Sequence, residues 1–238
     1  KVKNYLLYLA SKLELPTEHD LSSDINDTWT HIFERLMAAD LSDVRDEDRL
    51  LRAHWLMAYD YDRRRWEGSR SVKARFNLGK YKDRHSNLLE DLKDYLRSLR
   101  NATVAYCDIF HPAHPNAFRS LKADGISRTR LVAAGERLVR LDALGTFLPL
   151  LMAARIEHPD DGEVYLEALD LCERFAFRVY RWRERPAYTG QSLVFRLGNQ
   201  LFGGRDVMSV LNELRRATLY YGPDSIFQSR FEQEDLNW

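Results

Sequence analysis

Apolar residues recur at helical spacing along nearly the whole chain, and no segment shows the strict apolar–polar alternation of a half-buried strand. A sequence with one period throughout can bury its apolar stripes only by laying helix on helix. The expected fold is therefore all-α: a compact multi-helix domain of about ten helices. No repeat of fixed period is visible, so a solenoid is not expected. From Asp24 the apolar set Ile25, Trp29, Ile32, Phe33, Leu36 and Met37 predicts one buried stripe. A second helix from about Asp46 turns Leu50, Leu51, His54, Trp55 and Ala58 inward. Ser86 or Asn87 is expected to cap a long helix carrying Leu88, Leu92, Tyr95, Leu96, Leu99, Ala102 and Tyr106, which Pro112 ends.

Pro115 is expected to open a short helix around Phe118 and Leu121, closed by Gly125. Ser127 caps the next, through Leu131, Ala134, Leu138, Leu141 and Leu144. Gly145 breaks it, and Thr146 with Pro149 starts a helix apolar on all sides, Phe147, Leu148, Leu150, Leu151 and Met152, which belongs at the centre of the core. A helix of about 20 residues runs from Gly162 to near Arg185. Two more follow at about 191–202 and 206–221, then a short one after Gly222-Pro223-Asp224. The organisation expected is an N-terminal helical group (1–66), a basic irregular connector (67–85) and a C-terminal helical bundle (86–238), together one continuous helical domain.

With 45% apolar and 30% charged residues, the chain has the composition of a folded protein. The 36 basic and 36 acidic residues balance, so attraction to a polyanion has to come from local patches. Two cysteines, Cys107 and Cys172, suggest a reducing cytoplasmic setting rather than a disulfide scaffold. No run approaches a membrane span, and no membrane association is expected. The chain opens at Lys1 already in helical stride, with Leu6, Leu9 and Leu13 on one face and no capping residue before them. It is expected to be a piece of a longer protein.

Three constellations bear on chemistry. Between Arg63 and Arg84 nine basic residues face only Glu67 and Asp83, with Trp66, Phe76 and Tyr81 interleaved. Cations neutralise phosphates and exposed rings stack on bases, so Arg64, Arg65, Lys73, Arg75, Lys80 and Lys82 are candidate nucleic-acid contacts. The competing reading is a solvated loop neutralised by nearby Asp43, Asp46, Glu47 and Asp48. Second, Arg174, Arg178, Arg181 and Arg185 share a helical face with Glu163, Glu167 and Asp170. An Asp170–Arg174 pair and the helix dipole favour a structural role there, the alternative being that Arg178, Arg181 and Arg185 dock phosphate or another domain. Third, Cys107, Asp108, His111 and His114 are metal-ligand types within eight residues. Pro112 and Pro115 break the helix that would align them, and no second cluster completes a zinc spacing, so no metal is expected. His54, on an apolar face beside Trp55, reads as a hydrogen-bonded core histidine. Phosphate-binding glycine loops and a nucleophile elbow are absent, so no catalytic or cofactor-binding residue is assigned.

Lys1-Val2-Lys3-Asn4-Tyr5-Leu6 resembles the helix that follows the ParB-like domain of GmrSD-type prokaryotic restriction and phage-defence proteins. Trp29-Thr30-His31-Ile32-Phe33, Asp48 to Trp55, Leu148-Pro149-Leu150-Leu151 and Cys172 to Val179 are similar to helices of the same middle region. The resemblance implies a helical connector between a domain using GTP or ATP with magnesium and a C-terminal HNH nuclease, with DNA and the flanking domains as partners. Neither the Asp-Gly-Gln-Gln-Arg type motif nor a His-Ile-x-Pro type motif occurs here, so no catalytic residue is carried over and no cofactor is expected in this segment. The alternative is a protein–protein interaction scaffold without a nucleic-acid role. A stand-alone helical enzyme would instead need a deep pocket with convergent titratable groups.

Overall fold

Helix α8 (Leu144–Glu157) organises the molecule. In the computed structural model, which describes residues 1–13, 20–41, 43–82, 84–119, 121, 128–182, 185–186 and 188–233, α8 is buried on every side from Thr146 to Arg155. Four helices surround it: α3 (Val44–Ala58), α6 (His85–Phe110), α9 (Gly162–Phe175) and α10 (Gln191–Phe202). A helix with no polar face gains most when no face meets water, which is why Phe147, Leu150, Leu151 and Met152 sit at the centre. The N-terminal helices α1 (Val2–Leu13) and α2 (Leu21–Ala38) lie outside α6. Helix α7 (Arg128–Arg140) packs on α9, as does α11 (Val207–Tyr221), and α12 (Asp224–Gln233) closes the described chain. The class is all-α, with no strand among the described residues, and one apolar cluster runs from Val2 to Ala217.

Helices α8 and α10 approach each other closely. A Cβ on Gly198 would lie 2.7 Å from Leu150 N and from the Pro149 carbonyl carbon. Backbone thus rests on backbone, and only glycine fits. Pro149 is inside α8, where it forfeits a hydrogen bond to the preceding turn but does not end the helix. The break expected at Gly145 falls instead at the turn Leu141–Ala143, where Asp142 takes a positive φ of 51°.

Asp20 and Asp43 cap α2 and α3, and Asp43 forms a reciprocal capping box with Asp46. Trp29 ties the two helices by donating from Nε1 to Glu47 at 2.8 Å. The apolar stripe of α2 is narrower than expected: Ile25, Trp29, Ile32 and Leu36 are buried, whereas Phe33 and Met37 are exposed. Ser86 and Asn87 are inside α6, which starts at His85. Pro112 to Arg119 form turns rather than a helix, with Phe118 at φ 59°. Gly125 and Ser127, the expected stop and cap, lie outside the described residues. Helix α9 continues into a π-helical turn, Ala176–Trp182. That turn ends the α-helical register of the arginine row.

The connector expected to be irregular contains α4 (Ser69–Arg75) and α5 (Leu78–Tyr81), and Val72, Phe76 and Tyr81 enter the core. It is bound to α1, where the Tyr5 hydroxyl donates to the Phe76 carbonyl at 2.5 Å; helix α10 is tied to α3, where Asn199 Nδ2 donates to the Met57 carbonyl at 2.8 Å.

His54 is fully buried, with Nε2 2.8 Å from Ser98 Oγ and the ring edge against Tyr95. Burial holds it neutral, pulling its pKa down to about 3. The unfolded chain binds the proton near 6.5 and the folded chain does not. His54 therefore makes stability fall as pH drops from about 6.5 toward 3, by at most about 1.4 kcal/mol per pH unit. Urea melts across that window should show the slope, and His54→Gln should flatten it. In the same assay at neutral pH, Gly198→Ala should cost about 2–3 kcal/mol, since neither backbone can yield without separating α8 from α10.

Candidate functional site

The basic segment resolves into cations that hold the fold and cations that do not. Arg65 lies 3.3 Å from Asp60 and 3.7 Å from Asp62, within the 3-10 turn Arg63–Arg65 that Asp62 caps. Arg75 donates to the Tyr81 hydroxyl at 2.8 Å and lies 3.4 Å from Asp91, and Tyr81 itself donates to Asp91. One guanidinium thus fastens α4, α5 and α6. It also covers the Tyr59 and Phe76 rings, with centroid distances of 5.9 and 5.5 Å. Arg64, Lys73, Lys80 and Lys82 are exposed and make no ion pair among the described residues. Lys73 sits 5.3 Å above the Tyr5 ring. Of the six cations singled out in the sequence, then, four remain available to a polyanion and two are committed.

The neutralising carboxylates are not those expected. Asp43 and Asp46 cap α3, Glu47 binds Trp29, and the partners of the basic segment are Asp60, Asp62, Glu67 and Asp91. The interleaved aromatics are not available for base stacking. Phe76 and Tyr81 are buried, and Trp66 is half-buried against Trp55 at 5.4 Å. Tyr61 is the exposed ring of this region, beside Arg63, Arg64 and Ser192 in a cleft of about 440 Å³.

The arginine row also holds the fold together. Arg178 donates to Asp224 and covers Phe227, while Arg181 donates to the Leu141 carbonyl at 2.9 Å. The expected Asp170–Arg174 pair is replaced. Asp170 and Glu173 both bind Arg137 of α7, at 2.9 and 2.8 Å, and Glu167 binds Arg215 of α11. Tertiary partners displace the helical neighbour because α7 and α11 bring guanidinium groups directly over that face.

The metal-type cluster is dispersed. His111 Nδ1 donates to the Ala39 carbonyl at 2.9 Å, and His114 Nδ1 accepts from the Asn116 amide at 3.2 Å. Burial pushes the Cys107 thiol up to about 12, so it is protonated at neutral pH. Among the described residues no group of three His, Cys, Asp or Glu is placed to hold a metal.

What the sequence did not single out is a cleft of about 830 Å³ between the C-terminal end of α2, the C-terminal part of α6, the turns at 112–119 and the end of α8. At its floor Arg155 Nε lies 3.4 Å from Asp108 Oδ2, both nearly inaccessible. Burial raises the Asp108 carboxyl, against the pull of the Phe118 N–H and of Arg155. Arg35 and Arg119 stand exposed at the rim. The turns are held by Arg128, which donates to the His114 and Ala117 carbonyls at 2.6 and 2.9 Å, and by Gly135, whose Cβ would strike Pro112. An arginine in an otherwise apolar helix, and an aspartate on the apolar face of another, were the available signal for this pair.

Comparison with models of protein families finds none that matches the chain, and comparisons with curated proteins and with solved structures find no match.

The division between committed and available cations is measurable. Arg75→Ala should destabilise the protein by about 1–2 kcal/mol, having lost bonds to both Tyr81 and Asp91. Lys80→Ala should stay within about 0.5 kcal/mol of the parent in the same denaturant titration.

Proposed function

We propose that this chain is the helical connector of a GmrSD-like, modification-dependent restriction or defence protein, which joins a nucleotide-using domain to a nuclease and contacts DNA through its basic segment. The observation that carries the DNA part is the set Arg64, Lys73, Lys80 and Lys82: exposed, without ion pairs among the described residues, and mounted on short elements anchored by Phe76 and Tyr81. Cations held in place lose little freedom when they meet phosphate, so each can release counterions at low ordering cost. With Phe76 and Tyr81 buried beside the lysines, the contact in this reading is to the backbone of duplex DNA rather than to unstacked bases. The connector part rests on the resemblance and on a single core in which helices from both ends share α8 as a neighbour. Such a body moves as a unit and can transmit displacement between flanking domains. GTP or ATP and magnesium belong, in this reading, to those domains.

Fluorescence anisotropy with a short duplex tests the proposal. The protein should bind weakly, with affinity falling steeply as salt rises. Arg64→Glu, Lys80→Glu and Lys82→Glu together should weaken binding by about tenfold or more and flatten the salt dependence. Unchanged affinity in that variant would dismiss the DNA contact and favour a protein-interaction scaffold. DNA cleavage or GTP turnover by the purified chain would dismiss the connector.

A further inference from the structure

The cleft over Asp108 and Arg155 lies apart from the basic segment, and its composition points to a different ligand. Three guanidinium groups, Arg35, Arg119 and Arg155, line it against a single carboxylate, Asp108. Asp108 and Arg155 offset each other at the floor, which leaves the rim arginines as net positive charge. The Arg35 charge reaches inward: it opposes the burial-driven rise of both Cys107 and Asp108. Arg119 is steadied by donating from Nε to the Pro115 carbonyl at 3.0 Å.

The remaining walls are of two kinds. Asn101 and Asn116 offer amides at the mouth, and Val104 and Ile156 supply apolar surface. At about 830 Å³ the cleft has the size of small-molecule sites, and its mixture of apolar wall with a few convergent polar groups is theirs too. A buried ion pair is a costly way to fill a core that leucine would fill as well. The Tyr165 hydroxyl beside this pair is also buried and has no hydrogen-bond partner among the described residues. Polar groups are therefore concentrated beneath one cleft beyond what packing asks for.

We infer that this cleft binds a small organic phosphate monoester, with the phosphoryl group between Arg35 and Arg119 and the organic part against Val104 and Ile156. Guanidinium groups match a phosphate dianion through paired N–H donors. The thiol of Cys107 donates to the Arg35 carbonyl at 3.5 Å, which ties α6 to the end of α2 beside the cleft.

The test is a titration of the full chain with AMP and with glucose 6-phosphate, followed by amide NMR shifts and by calorimetry. Adenosine, glucose and inorganic phosphate are the controls. Saturable binding of either ester, with shifts at Asn101 and Asn116, is expected. The double variant Arg35→Ala/Arg119→Ala alters two exposed side chains and should melt as the parent does while binding about tenfold or more weakly. The inference is overturned if neither ester binds at millimolar concentration, or if the double variant binds as the parent does. Equal binding of the uncharged controls, or of inorganic phosphate alone, would overturn it as well.

Discussion

The contact between Gly198 and the Pro149–Leu150 backbone sets the dimensions of this protein. Wherever two helices touch backbone to backbone, the side chains on either side of the contact have to interdigitate at short range. Here they are Phe147, Leu151, Val194, Leu197 and Leu201, all essentially inaccessible. With α10 pressed onto α8, the remaining faces of α8 are left for α3, α6 and α9. Dispersion energy falls steeply with small gaps, so a closely set axis stabilises every helix that leans on it.

Charge is distributed with the same economy. Most of the arginines that a reader of the sequence would offer to a ligand are used between helices: Arg75 among α4, α5 and α6, Arg137 from α7 to α9, Arg178 from the π-helical turn to α12. Half-exposed pairs of this kind add little stability singly, but they fix the relative placement of elements whose apolar contacts are less directional. The cations left over are consequently the informative ones. Two groups of them stand out: those on the surface of the short elements at 63–82, and those at the rim of the cleft over Asp108 and Arg155. The first is open and suits an extended backbone of phosphates. The second is concave, with apolar walls, and suits a compact anion.

Legibility in the sequence followed the range of the interactions involved. Helix α10 was expected at the bounds it has, and α8 was expected at the centre, because an unbroken apolar surface has one physical solution. The segment at 67–85 was misread as irregular because its helices are too short to display a period; α5 is only four residues long. Trp66, Phe76 and Tyr81 looked like a stacking platform by their spacing among cations. Trp66 and Phe76 belong instead to an aromatic cluster with Trp55, Tyr59 and Tyr95, and the Tyr81 hydroxyl is held by Arg75 and Asp91. Pro112 marked the end of α6, but the short helix expected from Pro115 is a set of turns, where Phe118 takes a left-handed conformation that no local signal announces.

The residues alone therefore determined the all-α class, the central helix and the buried, hydrogen-bonded histidine, since each depends on period or desolvation. Only the tertiary structure decided which cations are free, which aromatics are buried, and that Asp108 and Arg155, forty-seven positions apart, meet beneath a cleft. Pairing between distant charges depends on how helices are placed in space. That placement is set by close packing around Gly198, which sequence spacing does not encode.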